Sequence, residues 1–278
     1  IASIEKAAIS ENIPFSVFKP TGICKFSLLK KINNNTPLSD NDKKEKQEYE
    51  FRLNSICQLA HDKNVAIFID AEESWIQDAI DISAEEMMIK YNTKKAIIFN
   101  TVQLYRNDRL NYLDSLLERS KDKFFLGIKL VRGAYHEQEI LRAKTKKYPC
   151  PVHTDKKKTD NDYNTALETC IKNIASVSVC AGTHNEKSNR ILADLMKKYD
   201  LNKNDNRIYF SQLLGMSDHI SYNLSAANYN VSKYVPYGPV KDVMPYLIRR
   251  AEENTSVAGQ MGRELINIID EKQRRKNT

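Results

Sequence analysis

The chain has 278 residues, 41% of them hydrophobic, and its 43 lysine and arginine residues exceed its 36 aspartate and glutamate residues to give a net charge of +7. This size allows one large core, as in an α/β barrel, or two ordinary domains. No run of 18 apolar residues occurs and residues 1–15 lack a signal-peptide pattern, which predicts a soluble, non-secreted protein. The five cysteines form no CxxC pair, which argues against a disulfide framework or a zinc site.

The positive charge leaves three interpretations open: nucleic-acid binding, an anionic membrane surface, or a lysine-rich composition without a partner. Basic and acidic residues alternate along most of the chain, and this favours the third interpretation. A nucleic-acid-binding protein would show binding that weakens steeply with salt. The sequence has no recognised nucleic-acid motif to support that alternative.

Seven short β-branched or aromatic runs predict seven strands, and amphipathic stretches between them predict helices. The predicted strands are residues 16–19, 65–70, 96–101, 124–131, 177–182, 207–211 and 231–235. The clearest helical periodicity covers residues 49–59, 110–117, 167–174 and 191–196. Strands that alternate with helices indicate a parallel sheet in an α/β fold.

Continuously apolar strands such as VAIFID indicate burial on both faces, as in a closed barrel or a doubly wound sheet. The ends of the strands favour a (β/α)8 TIM-like barrel, because barrel active sites are assembled from carboxyl-terminal strand ends and the following loops. Polar residues stand at or just past these ends: Lys19, Asp70, Gln103, Lys129, Arg132, Thr183, His184 and Tyr234.

Seven strands are one fewer than a barrel needs, and the chain opens on the helix-like segment IASIEKAAISEN. We therefore expect the first strand of the barrel to be missing from this chain and to lie upstream of it. No repeat or Pro/Gly-rich linker divides the sequence, so we predict one domain over residues 1–278. Residues 25–46, with their NNNTPLSDND core, are predicted to form a mobile loop.

Four strand-end residues are the first candidates for chemistry. Lys19 stands before a Pro-Thr-Gly turn and Lys129 lies within an apolar strand, where a cation is costly unless an anion or a polar ligand meets it. Asp70 is either a site residue or the N-cap of the following helix. His184 is either a structural histidine or a binding residue beside Thr183.

The segment KYVPYGPVKDVMPYLIRRAEEN is the most informative stretch. A helix predicted from Val240 onward places Arg249 and Arg250 about a hundred degrees apart. Both can hold one small carboxylate that sits between them, which would be a strong and oriented contact. The alternative is a pair of exposed arginines that bind Glu252 and Glu253 at helical spacing.

These segments together resemble the proline dehydrogenases, especially the group shared by eukaryotic enzymes and some bacteria. The resemblance covers nearly the whole chain and is most specific at residues 234–254. The segments that carry it are SVFKPTG, FIDAEES, NTVQLYRND, KLVRGAYHEQE, GTHNEKSN, FSQLLGMSDHISYNL and YVPYGPVKDVMPYLIRRAEEN.

The resemblance implies a distorted eight-stranded barrel that carries FAD and oxidises L-proline to Δ1-pyrroline-5-carboxylate. Electrons would pass to a membrane quinone. The location would be cytoplasmic with peripheral inner-membrane attachment in a bacterium, or the matrix side of the mitochondrial inner membrane in a eukaryote. A barrel enzyme of another chemistry, such as a phosphate-binding aldolase, stays open as an alternative. In the family, the strand before Lys19 supplies a further acidic residue, and this chain has no counterpart.

The resemblance also implies site roles. The residues expected around proline are Lys19, Asp70, Tyr135, Leu213, Tyr234, Tyr246, Arg249, Arg250 and Glu253. The residues expected around the flavin are Gln103, Lys129, Arg132, Gly133, Ala134, Lys156, Thr183, His184 and Asn185. Arg249, Arg250 and Lys19 would hold the carboxylate, and Glu253 would hold the arginines in place. Tyr234 would favour proline over hydroxyproline. Lys129 stands where many bacterial members carry arginine, which keeps the charge but loses a bidentate fork.

Overall fold

The computed structural model describes residues 1–236, 238–241, 243–244, 247–248, 269 and 272–275. The chain divides into two compact units, Ile1–Lys233 and Tyr234–Thr278. In the second unit, the described positions from Val240 to Ile248 are helical, which agrees with the helix predicted there. One domain over the whole chain stays a prediction.

The first unit alternates strands and helices. Its strands are β1 Phe15–Phe18, β2 Ala66–Ile69, β3 Ile98–Gln103, β4 Leu126–Val131, β5 Val177–Gly182 and β6 Ile208–Leu213, and β7 is Val231–Tyr234. Its helices are α1 Ala2–Ala8, α2 Phe26–Asn33, α3 Asp40–Asp62, α4 Ser74–Tyr91, α5 Arg109–Ser120, α6 His136–Lys146, α7 Lys156–Lys172, α8 Glu186–Lys198 and α9 Asp218–Ala226, with a short 3-10 turn at Pro20–Gly22. All seven predicted strands form, and no bound shifts by more than two residues.

The strands lie side by side in chain order, and β1 to β6 pair in parallel. The sheet is strongly curled. The rings of Phe15 on β1 and Tyr209 on β6 are 4.6 Å apart between centroids, although five strand spacings separate these strands along the sheet. A flat sheet would hold them roughly 24 Å apart, since neighbouring strands are about 4.8 Å apart. The sheet is therefore a half-barrel, and a doubly wound open sheet is excluded.

The curled sheet separates two apolar regions. Inside the curl, Phe15 stacks on Phe68 with centroids 4.3 Å apart, and Phe99 packs edge-on against Phe68 at 5.2 Å. Gly127 on β4 is required here, because a Cβ atom would lie 2.7 Å from the ring of Phe99. Outside the curl, the alternate strand residues pack against the helices and form the larger core. Burial on both faces explains the continuously apolar strands.

Alternation along β3 shows how one strand serves both sides. Phe99 packs among the inner rings, so Thr101 and Gln103 also face inward at the two-residue period. Asn100 faces outward, where its amide donates to Asp81 on α4 at 2.9 Å. The same period brings polar side chains to the inner side at the carboxyl ends of the strands.

The predicted mobile loop over residues 25–46 is wrong. α2 and the start of α3 occupy most of this segment, and Leu28 and Leu29 on α2 are buried in the outer core. Ser39 and Asp42 form a capping box that begins α3, and Lys31 on α2 donates to both oxygens of Asp42 at 2.7 Å. The polar residues that suggested a loop are instead the start signal of a helix.

Candidate active site

The centre of the candidate site is a buried ion pair at the carboxyl ends of β2 and β4. Nζ of Lys129 and Oδ1 of Asp70 are 2.6 Å apart, and the two side chains are 10% and 11% exposed. The Lys129 ammonium also lies 5.3 Å from the centre of the Phe68 ring, at the top of the inner aromatic cluster. Asp70 is thus the anion that a buried lysine needs as a partner, and the role of Lys129 at a flavin stays a prediction.

The alternative interpretation of Asp70 as a helix cap is wrong. α4 begins at Ser74, and Glu73 occupies its N-cap position. The N-terminus of α4 is instead approached by Glu139 from α6, whose carboxylate accepts bonds from the Ser74 backbone N–H at 2.7 Å and its hydroxyl at 2.6 Å. Asp70 therefore does not cap α4, and its carboxylate faces Lys129 on the inner side of the sheet.

Lys19 stands one residue past β1 and lies close to the Asp70–Lys129 pair. Its ammonium donates to the hydroxyl of Tyr135 at 3.2 Å. Burial alone would lower the pKa of this ammonium, but Asp70, Tyr135 and Glu72 together raise the pKa above its ordinary value. Lys19 is thus held as a cation, the charge that a carboxylate ligand would require.

A chain of hydrogen bonds connects the carboxyl ends of the four neighbouring strands β1, β2, β3 and β4. Thr21 donates to both oxygens of the buried Glu72, from its backbone N–H at 2.9 Å and its hydroxyl at 2.7 Å. Gln103 donates to the Glu72 carbonyl at 2.7 Å and accepts from the Ala134 N–H at 3.4 Å. Glu72 has no role in the sequence-based assignment. The available signal was a second acid two residues after Asp70, which alternation places at the same edge.

The turn after β4 depends on glycine. Gly133 has a φ of +135°, which side-chain-bearing residues rarely adopt, and an added Cβ would lie 2.4 Å from the ring of Tyr105. The turn carries Ala134, bonded to Gln103, and Tyr135, bonded to Lys19. It brings these two predicted site residues next to the strand-end charges.

Arg132 lies on the side of α7 rather than beside Lys129. Its guanidinium donates to Asp160 at 2.6 Å and to Thr183 at 2.6 Å, and it stacks on Tyr163 with its central carbon 4.4 Å from the ring centre. Lys156 binds the other oxygen of Asp160 at 2.6 Å and is largely exposed. This group forms a positively charged rim that connects β4, α7 and the end of β5.

The three residues after β5 have different surroundings. The Thr183 hydroxyl accepts from Arg132, and the Asn185 side chain accepts from the Ser188 N–H at 3.0 Å as the N-cap of α8. His184 is bonded through Nδ1 to the Ser217 hydroxyl at 3.1 Å, which links this loop to the loop after β6. Thr183 and Asn185 thus have clear structural partners in addition to their predicted roles.

The remaining predicted residues are spread over both units. Leu213 ends β6 and is half-buried. Tyr234 ends β7 and belongs to the second unit. Tyr246, Arg249, Arg250 and Glu253 lie outside the described residues. The structure therefore brings together Lys19, Asp70, Gln103, Lys129, Ala134 and Tyr135 at one edge of the sheet.

The fold and this edge define the class: an α/β half-barrel protein with charged side chains at the carboxyl ends of its strands, as barrel enzymes have. The sequence profile of the proline dehydrogenase family matches residues 3–263. The chain belongs to the proline dehydrogenase family.

Individual relatives agree with this membership. Proline dehydrogenase 1, mitochondrial, of Drosophila melanogaster is 40% identical over 235 residues, which are 81% of this chain and 34% of that protein. The human protein of the same name is 39% identical over 218 residues, 77% of this chain and 36% of that protein. The chain thus spans about a third of the length of these relatives.

A solved structure shows the same fold. Proline utilization A from Bdellovibrio bacteriovorus, inactivated by N-propargylglycine, superposes with a TM-score of 0.76 and is 23% identical. The match covers 87% of this chain and 24% of that chain. Among the described residues, none of the helices has the length and apolar character needed to cross a membrane.

Proposed function

We propose that this chain is the catalytic barrel of a flavin-dependent enzyme that oxidises L-proline to Δ1-pyrroline-5-carboxylate, the first step of proline breakdown. Membership of the family supports the substrate. The observation that carries the proposal is the cluster of Lys19, Asp70 and Lys129 at the carboxyl ends of three parallel strands. The curled seven-stranded sheet supports the expected distorted eight-stranded barrel. The upstream first strand stays a prediction.

The chain's own residues would bind and orient the substrate. Lys19 is an exposed cation just past β1 that donates to the Tyr135 hydroxyl, and it is suited to one oxygen of the proline carboxylate. Arg249 and Arg250 are proposed to hold the same carboxylate, with Glu253 holding the arginines. The pyrrolidine ring would be enclosed by Asp70, Tyr135, Leu213, Tyr234 and Tyr246. Orientation is the main contribution that such a site makes to the rate.

The reaction itself removes two electrons and two hydrogens from the proline ring. The ring nitrogen loses a proton, a hydride leaves C5, and a double bond forms between C5 and nitrogen. The buried Asp70–Lys129 pair lies beside Lys19, where its two charges would set the electrostatic environment of the substrate. Without the contacts to its carboxylate, proline would not be held with C5 in a fixed orientation for hydride transfer.

The residues present fit FAD by the chemistry of their donors. Gln103 and Lys129 place an amide and an ammonium on the inner side of the sheet, suited to a ring system rich in carbonyl and imine acceptors. Bound FAD would supply the hydride acceptor. The groups proposed to hold it are Gln103, Lys129, Arg132, Gly133, Ala134, Lys156, Thr183, His184 and Asn185. Arg132 and Lys156 would supply positive charge for its phosphates.

The electron acceptor is proposed to be a membrane quinone, as the resemblance implies. Peripheral association with an inner membrane is part of the same proposal, on the cytoplasmic side in a bacterium or the matrix side in a eukaryote. The fly and human relatives carry the word mitochondrial in their names, which supports the second location for those proteins.

The test is the visible spectrum of the purified protein recorded without oxygen, before and after L-proline is added. We expect a yellow protein whose flavin absorbance bleaches on addition of L-proline. D-proline is the matched control and should bleach it far more slowly, because its carboxylate would point away from Lys19. A colourless protein that carries phosphate would contradict the proposal and favour the aldolase alternative.

A further inference from the structure

We propose that Glu72 is a positioning residue that sets Lys19 for the substrate carboxylate by clamping the turn after β1 through Thr21. This inference rests on the proposed function for the identity of the carboxylate. Its geometric basis lies in the described contacts of the first unit.

The clamp is bidentate. Thr21 directs two donors, its backbone N–H and its hydroxyl, to the two oxygens of one carboxylate at 2.9 and 2.7 Å. Glu72 is 4% exposed, so both bonds form away from water. A buried carboxylate with two donors on one residue fixes that residue in position and orientation, because both bonds weaken if it rotates.

Thr21 is mechanically coupled to Lys19. The 3-10 turn Pro20–Gly22 begins directly after Lys19, and the Gly22 N–H donates to the Lys19 carbonyl at 2.9 Å. Holding Thr21 therefore fixes the backbone from which the Lys19 side chain extends to Tyr135. The other chain neighbour of Lys19 is Phe18, which is fixed in β1 by its pairing with Ile69.

Glu72 has a rigid base from which to act. Its backbone N–H donates to Gln77 at 2.8 Å and its carbonyl accepts from Gln103 at 2.7 Å. Both bonds involve the main chain, so a change of the Glu72 side chain leaves them in place. The side chain can thus be tested separately from the network that supports it.

Glu72 also contributes charge. Its carboxylate is one of the groups that raise the pKa of Lys19, after Asp70 and Tyr135 and against the lowering effect of burial. Two effects must therefore be separated: the position of the Lys19 ammonium and its protonation. The pair of Glu72 and Thr21 permits this, because a change at Thr21 leaves the carboxylate charged.

The experiment compares E72Q, T21V and T21S with wild type in the holoenzyme. E72Q removes the charge and leaves one Thr21 donor facing an amide, and we expect the KM for L-proline to rise about tenfold with a smaller change in kcat. T21V keeps the charge and one bond, and we expect KM to rise about three- to fivefold. T21S restores both donors and should return KM to near the wild-type value.

The matched control is E85Q. Glu85, on the helix α4 that follows β2, accepts from Arg119 with both oxygens at 2.8 Å and lies about three turns beyond the start of that helix. The E85Q variant weakens a two-bond carboxylate contact as E72Q does. We expect its KM for L-proline to stay within about twofold of wild type.

A second readout does not depend on turnover. Lysines are ¹³C-dimethylated, the Lys19 signal is identified by its loss in K19R, and its pKa is measured by NMR. We expect a lower Lys19 pKa in E72Q and a wild-type value in T21V and E85Q.

An unchanged KM in both E72Q and T21V would overturn the positioning role, as would a fall in kcat alone. If E72Q does not fold, T21V against T21S decides. A wild type inactive on L-proline would refute the substrate proposal, whereas the Lys19 pKa comparison would still report on the clamp.

Discussion

Two buried ion pairs on opposite sides of the sheet differ in how completely they are enclosed. The inner pair, Lys129 with Asp70, lies at the strand ends and uses a lysine, whose ammonium is a compact point charge. The outer pair, Arg109 with Asp81, lies between α4 and α5 with both side chains less than a tenth exposed. An arginine fork has fixed geometry, whereas an ammonium can exchange partners. The inner pair therefore suits a site, and the outer pair suits a scaffold.

The outer pair belongs to a dense network. Asp81 accepts from Arg109 at 2.6 Å, from Gln77 at 2.8 Å and from Asn100 at 2.9 Å. Burial nevertheless raises the pKa of Asp81, and Arg109 offsets this only in part. Through Gln77 the network reaches the backbone of Glu72, so it supports the strand ends from outside. The comparison teaches that buried charge alone does not identify a site.

The largest expected effect is on stability, from R109M. This change leaves the Asp81 carboxylate buried without its cation, which should reduce the free energy of unfolding by about 3–5 kcal/mol. Urea unfolding measures this. The KM for L-proline should stay close to wild type. A large rise in KM without loss of stability would show that Arg109 serves the site rather than the scaffold.

The next effect is on activity, from K129M. Removal of the inner cation takes away the buried ion pair of the Asp70 carboxylate and should reduce kcat/KM for L-proline at least about 100-fold, equivalent to about 2.7 kcal/mol. Anaerobic flavin reduction measures the rate, and the ratio of visible to protein absorbance measures flavin content. K129R is the matched control, because it keeps the charge. Wild-type kinetics in K129M would contradict a role of the Lys129–Asp70 pair in the reaction.

A third effect concerns the cations of the second unit. R249M and R250M should each raise the KM for L-proline by one or two orders of magnitude, using about 1.5–3 kcal/mol for a charged hydrogen bond. Initial-rate kinetics measure it. K272M, a charge change near the end of the chain, serves as the control. Unchanged kinetics in both arginine variants would leave Lys19 as the main carboxylate contact and would assign carboxylate binding to the first unit.

The smallest effect is the pH dependence of the outer network. Burial raises the pKa of Asp108, but its bonds to Arg109 and Arg106 lower it by more, so the folded pKa lies below its ordinary value. A depressed carboxyl pKa contributes stability above the unfolded value, near about 4, and that stability is lost as the pH falls toward the folded pKa. The stability advantage of wild type over D108N should therefore shrink between about pH 5 and pH 2. A pH-independent difference would contradict this.

Several sequence-based expectations held because they depend on local pattern. The strands from β1 to β7 were found by their apolar runs, and Lys129 was identified because a cation in such a strand needs a partner. The helices within residues 25–46 were missed, and a loop was predicted in their place, because the capping box of Ser39 and Asp42 looks like a turn in composition. Glu72 was missed because its importance comes from Thr21, 51 residues earlier.

The sequence alone determined the alternation of strands and helices, the parallel sheet, the polar strand ends and the family resemblance, since each follows from residues close together in the chain. Only the tertiary structure decided that the sheet curls until β1 and β6 touch, and that Asp70 faces Lys129 instead of capping a helix. It also decided that Arg132 turns toward Asp160. These outcomes depend on contacts between distant segments, whose free energies are realised only when the core is packed.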